Sequence, residues 1–340
     1  MGEHPSLVRR SWRGAIARAL LAVAGLGVIA WLVHDAGPYR VGQVLWEAGA
    51  WLPLVLALES CQLASDFLSL RLILGSEWRT VPARTWVRSS SLAYALMVMV
   101  PAGRAAGEVT RATVLSSTLG AARAAATSTQ LQVAYQSANG IVSLVEASLV
   151  ASFFGVGSSL ALLLIGNAAI QAVFAALLLL VLWDARLGRG LDRLRLRFVP
   201  GAVAQPPLDP AVRRRVPWRA MLVCSLGRSA ELVEYGMVLY AVGGALSPRG
   251  AMVAHGIHLV GATMGDFVPS QLGVVDGAYR AFAGALGLGA TPARALSIAF
   301  LVRIAQLTLG SACVLAAALA GSTRSRAPAS PPSAGAGARS

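Results

Sequence analysis

The chain has 340 residues, of which 56% are hydrophobic and 13% charged, with a mean hydropathy of +0.64 and a net charge of +14. A soluble domain carries about 25% charged residues, so these values exclude a soluble globular enzyme and describe a multi-spanning membrane protein. The positive balance does not call for nucleic acid, because the arginines fall where membrane topology wants them.

A membrane span needs about 20 apolar residues. Taken in order, the candidates are 15–33, 51–74, 124–156, 158–183, 220–246 and 293–320. Two shorter pairs of apolar arms lie between them, 89–100 with 109–122 and 251–268 with 273–289. Arg9, Arg10, Arg13 and Arg18 place the N-terminus inside, and a further inner loop carries Arg71, Arg79, Arg84 and Arg88. The stretch 184–219 holds nine Arg against three Asp and reads as a cytoplasmic linker. Segments 34–50 and 247–250 read as outer loops. The tail 321–340 has the Ala, Pro, Ser, Gly and Arg composition of a disordered segment.

Charge parity closes if each short pair enters and leaves on one side, the first from the cytoplasm and the second from outside. The expected fold is therefore an all-α polytopic membrane protein. It has about six spanning helices plus two re-entrant helix pairs arranged as an inverted repeat, with halves at 51–156 and 220–320 in one domain, 1–320. Full crossing by both pairs has the same parity and stays open.

Each pair is centred on a proline motif. Pro101 is followed by Gly103, Arg104, Gly107, Glu108 and Arg111; Pro269 is followed by Gly273, Asp276, Gly277 and Arg280. In both copies the acid sits seven residues after the proline, and the copies share an offset of 168 that also relates Asp66 to Glu234. Proline breaks a helix, glycine lets backbones approach, and a new half-helix presents unpaired N–H groups. Beside Arg104, Arg111 and Arg280 this makes a candidate anion site, with Glu108 and Asp276 orienting arginines, capping the half-helix or holding a proton when desolvated.

Ionisable groups inside spans are costly and mark function. Glu59, Gln62 and Asp66 share one helix face; Arg228, Glu231, Glu234 and Tyr235 share another. Glu59 is placed to meet Arg228 across the two halves. A third polar face runs through Gln132, Gln136, Asn139, Ser143 and Glu146, and its counterpart carries Arg303 and Gln306. Bundled helices also use such residues as hydrogen-bonding glue. His255, His258 and Asp266 read as packed or pore-facing rather than as metal ligands. Cys61, Cys224 and Cys313 lack metal or redox spacing. No nucleotide loop, nucleophile elbow or zinc-protease pair is present, so the reading requires no cofactor, metal or enzyme chemistry.

The motifs VPAGRAAGEVTRATVL, with the later Leu-Gly and Arg123, and VPSQLGVVDGAYRAF, with LGLG and Arg294, resemble a flippase-like family related to the transmembrane region of lysylphosphatidylglycerol synthase. The resemblance runs from Trp51 to Ala320. It implies a lipid-translocating domain with headgroup contacts around the two motifs. Long members add a C-terminal aminoacyl-transferase domain, which the composition of 321–340 does not resemble.

The expectation is thus an inner-membrane lipid translocase with both termini cytoplasmic. An anionic headgroup would be bound by Arg104, Glu108, Arg111, Asp276, Arg280, Glu59, Gln62, Asp66, Arg228, Glu231, Glu234, Gln136 and Arg303. Membrane lipids are the main partner; a second copy of the chain and a lipid-synthesis enzyme are the protein partners considered. The competing functions are an ion-coupled transporter of a small anionic solute, an intramembrane transferase and an accessory subunit of lipid modification.

Overall fold

The computed structural model describes residues 23–100, 103–184, 215–266, 268, 271–289 and 291–322. Pro101 and Pro269 themselves, the N-terminal arginines, most of the expected linker and nearly all of the tail lie outside the described residues.

Among the described residues the chain is helical, without strands. Helix α1 is Val23–Ala36. It is followed by α2, Pro38–Ala48, and, through a 3-10 turn, by α3, Leu52–Leu74. The stretch 34–50 is therefore not an extended outer loop. Pro38 takes the first helical turn, where its missing N–H costs nothing, and the chain stays helical into α3. Helices α4, Ala83–Met99, and α5, Gly103–Leu119, form the first broken pair. At 17 residues each is about 25 Å long, short of a hydrocarbon core of about 30 Å. Long α6, Ala121–Phe154, and α7, Ser159–Trp183, follow as an antiparallel hairpin whose turn opens at Gly155, φ 86°.

The second set comprises α8, Trp218–Ala241, α9, Pro248–Gly265, α10, Val274–Ala281, and α11, Pro292–Ser322. The order helix, broken pair, long helix thus occurs twice. The second broken pair is lopsided: α10 has only 8 residues and gives way to turns over 282–289.

Four helical stretches are long and apolar enough to span: Pro38–Thr80, Ala121–Phe154, Ser159–Trp183 and Pro292–Gly321. Six were expected. The first candidate is partly outside the described residues. Helix α8 has the length, but Arg219, Arg228, Glu231 and Glu234 dilute its hydropathy.

The helices pack with their polar groups inward. Glu59, Arg111, Glu146, Arg228, Glu231, Glu234, His255 and Asp276 are buried, whereas Leu162, Val173, Phe174 and Leu177 of α7 face outward. That is the arrangement a bilayer requires, because lipid tails cannot hydrogen-bond. Helix α3 lies along α8, α4 packs on α11, and α9 packs on α6, so each set is interleaved with the other. Close approach of α5 to α4 depends on Gly107: a Cβ there would sit 2.5 Å from the Ala93 carbonyl oxygen.

Candidate functional site

Where the sets interleave, a cavity of about 90 Å³ opens, room for several waters. Its wall includes Val100, Gly103 and Arg104 from the first broken pair and Asp266, Val268 and Gln271 from the second. The two motifs therefore meet at one hollow. Gln271 takes a left-handed φ of 54°, and Gly273 follows at 79°, turning the chain sharply into α10. Glu59 and Gln62 of α3, Arg228 and Glu231 of α8, and Arg303 and Gln306 of α11 complete the polar lining.

Arg104 is half-buried at the start of α5, where helix geometry leaves N–H groups unpaired. It has no acidic partner within ion-pair distance among the described residues. Its guanidinium stacks over the Tyr135 ring at 4.8 Å, and Arg228 stacks on the same ring at 4.7 Å. Gln62 donates to the Tyr135 hydroxyl. Arg228 is neutralised by Glu231, one turn along α8. The expected pairing of Arg228 with Glu59 does not form, because Glu231 lies closer on the same helix face. Glu59 instead accepts from the Tyr94 hydroxyl at 2.6 Å.

A relay of polar groups leads away from the cavity. His255 Nε2 lies 3.4 Å from Glu231, and its Nδ1 lies 2.6 Å from Glu146 on α6. His258, one turn on, lines the cavity and stacks on Tyr235 at 4.6 Å. Both histidines are thus part of the packed polar interior. No cluster with metal-ligand geometry occurs among the described residues.

The motif acids hold arginines, as expected, but with different partners. Glu108 lies 3.3 Å from Arg111, which also binds Asp66 at 2.9 Å and donates to Ser90 at 3.0 Å. These groups adjoin the main cavity through a second space of about 20 Å³ lined by Gln62, Asp66, Arg104, Glu108 and Arg111. Asp276 is fully buried; its Oδ2 accepts from Gly273 N–H at 2.9 Å, capping α10, and its carboxylate receives Arg303.

Asp276, in contact with Arg303, itself lines neither space, and three further sequence candidates lie elsewhere. Arg280 is exposed and pairs with Asp35 at 3.2 Å. The buried side of this 8-residue helix is centred on Val275, Asp276 and Tyr279, and Arg280 falls at its edge, turned outward. Gln136 is half-buried and lines neither space. Glu234 is buried behind Glu59, off the cavity wall. Arg123 pairs with Glu77 at 2.8 Å, and Arg294 approaches the Gly243 carbonyl oxygen, so neither motif-flanking arginine reaches the cavity. Conversely, Tyr135 and Tyr94 were not singled out. Tyr135 adjoins Gln136 on the polar face of α6, which was its one visible signal; Tyr94 had none.

Apolar spans, an apolar exterior and charges gathered inside define a multi-pass membrane protein. The chain belongs to the family of the lysylphosphatidylglycerol synthase transmembrane region, whose model matches residues 15–313. A comparison with curated proteins finds no match.

Proposed function

We propose that this protein is a lipid translocase that binds an anionic, phosphate-bearing headgroup in the central cavity and carries it between leaflets. The observation that carries the reading is Arg104: a guanidinium on the cavity wall, stacked on Tyr135, with no acid within ion-pair distance among the described residues. A phosphate leaving water needs a cation and hydrogen-bond donors in exchange for its hydration. Arg104 and the start of α5 supply them. Arg228 and Arg303 add positive charge from the other set, each already balanced by its acid.

A second observation favours lipid over a free solute. The cavity wall includes Leu307, an apolar side chain 39% exposed on the outer face of α11. The hollow thus adjoins the lipid-facing surface, and acyl chains can stay in the bilayer while the headgroup sits inside. The two interleaved sets act as an inverted repeat rocking about the cavity. In this reading the protein sits in the inner membrane with both termini cytoplasmic and performs transport without chemistry on the lipid.

The experiment is leaflet exchange of fluorescent phosphatidylglycerol in proteoliposomes, with uptake of radiolabelled inorganic phosphate as the parallel arm. Faster lipid exchange than in protein-free vesicles, reduced by Arg104→Ala, is expected. Phosphate uptake without lipid exchange would assign the cavity to a soluble anion.

A further inference from the structure

Four of the acids in the interior have a basic partner in contact. Asp66 and Glu108 share Arg111, Asp276 holds Arg303, and Glu231 holds Arg228. Glu146 faces His255. Half-buried Asp266 on the cavity wall has no ion pair among the described residues, and neither do Glu59 on α3 and Glu234 on α8, which differ in being buried. Glu234 is 0% exposed, and neither of its oxygens receives a hydrogen bond from a protein donor. The carboxyl facing it, within hydrogen-bonding reach, is Glu59. Glu59 has neutral donors for company, Tyr94 on α4 and Gln306 on α11.

Two buried carboxyl groups in contact, without a cation of their own, repel unless a proton lies between them. The other groups facing the pair do not remove that need. Arg228 is the nearest cation, and Glu231 already neutralises it. Cys61 on α3 and Tyr279 on α10 are uncharged neighbours. Burial without a basic partner is retained here beside the cavity, on the two helices through which the sets touch most extensively.

We propose that Glu59 and Glu234 form a shared-proton carboxyl pair through which headgroup movement is coupled to proton movement. The inference rests on the translocation reading above. Glu59 lines the same cavity as Arg104, whereas Glu234 sits behind it. An anion docked at Arg104 brings negative charge to the pair and favours its second proton; the second proton in turn favours the anion, since such linkage is reciprocal. Anion and proton therefore travel in the same direction. The proton is taken from water on one side and released to water on the other, with no bond made or broken in the lipid.

The test uses the full chain in zwitterionic vesicles carrying fluorescent phosphatidylglycerol, with protein-free vesicles as the blank. Chemical quenching of the outer leaflet reads the distribution with and without an imposed gradient of one pH unit. With the interior alkaline, one proton per lipid drives the probe inward by up to about ten-fold at equilibrium. Glu234→Gln, close to isosteric, removes that displacement. Wild-type exchange that is fast but indifferent to the gradient overturns the coupling and leaves translocation standing; a full gradient response in Glu234→Gln overturns the assignment of the coupling to this carboxyl pair and likewise leaves translocation standing. No exchange by the wild type in either condition overturns the translocation reading and the coupling with it.

Discussion

Arg303 closes on Asp276 with two parallel hydrogen bonds, Nη1 to Oδ1 and Nη2 to Oδ2, each of 3.1 Å. The acid of the second motif thereby ties its half-helix to α11, while its Oδ2 also caps α10 through Gly273. One side chain sets both the start of the half-helix and the aim of an arginine on the cavity wall. Asp276→Asn keeps the shape but removes the charge that balances Arg303. Breaking a buried pair costs about 3–5 kcal/mol. Asp276→Asn is expected to lower the thermal midpoint markedly in detergent and to slow lipid exchange.

Arg111 plays the matching part in the first set, with Asp66, Glu108 and Ser90 around it. A lysine carries the charge but cannot reach three partners from one planar fork. Arg111→Lys is expected to lose about 1–3 kcal/mol of stability. Arg111→Ala should lose more, since it leaves two acids without a cation. Chemical unfolding of the purified variants ranks the three proteins; equal stability of Arg111→Lys and wild type would remove Arg111 from this role.

Arg280 gives the opposite expectation. Its pair with Asp35 is exposed on both sides, 43% and 47%, and such pairs contribute about 0–1 kcal/mol. Arg280→Ala should leave both thermal stability and lipid exchange close to wild type. A large loss of exchange would mean that the second motif presents its arginine to the substrate after all.

Most of the spans, the two broken pairs and their meeting point were legible in the sequence, because a bilayer imposes a length and a proline beyond the first turn interrupts a helix. Arg104 was legible for the same reason, being bound to the break by its position in the chain. The partnerships were not. Arg111 meets Asp66 across 45 residues, and His255 meets Glu146 across 109, through packing angles that local periodicity does not encode. Arg280 misled because its spacing from Asp276 is that of a shared helix face. The deciding fact was which side of the short α10 packs inward, and that side belongs to Tyr279, whose hydroxyl reaches the Ala254 carbonyl. Helix α8 was legible as the span 220–246 despite its charges, and those charges are what makes it part of the site.

Gly107 is where α5 approaches the α4 backbone, and an added Cβ has no flexible atom to displace. Gly107→Ala should push the two arms apart and cost about 1–3 kcal/mol. Because Arg104 lies one turn away on α5, the same change should weaken headgroup binding, measurable as faster loss of bound phospholipid during delipidation. Retention of lipid with unchanged stability would show that the arms need not touch.

Native mass spectrometry of the protein extracted with its lipids tests the central claim most directly. Wild type is expected to retain an anionic phospholipid, and Arg104→Ala, which breaks no ion pair and forgoes a ring contact worth about 0.5–2 kcal/mol, is expected to fold and to lose it. Equal retention of that lipid by folded wild type and Arg104→Ala would contradict a headgroup site at the meeting point of the two motifs.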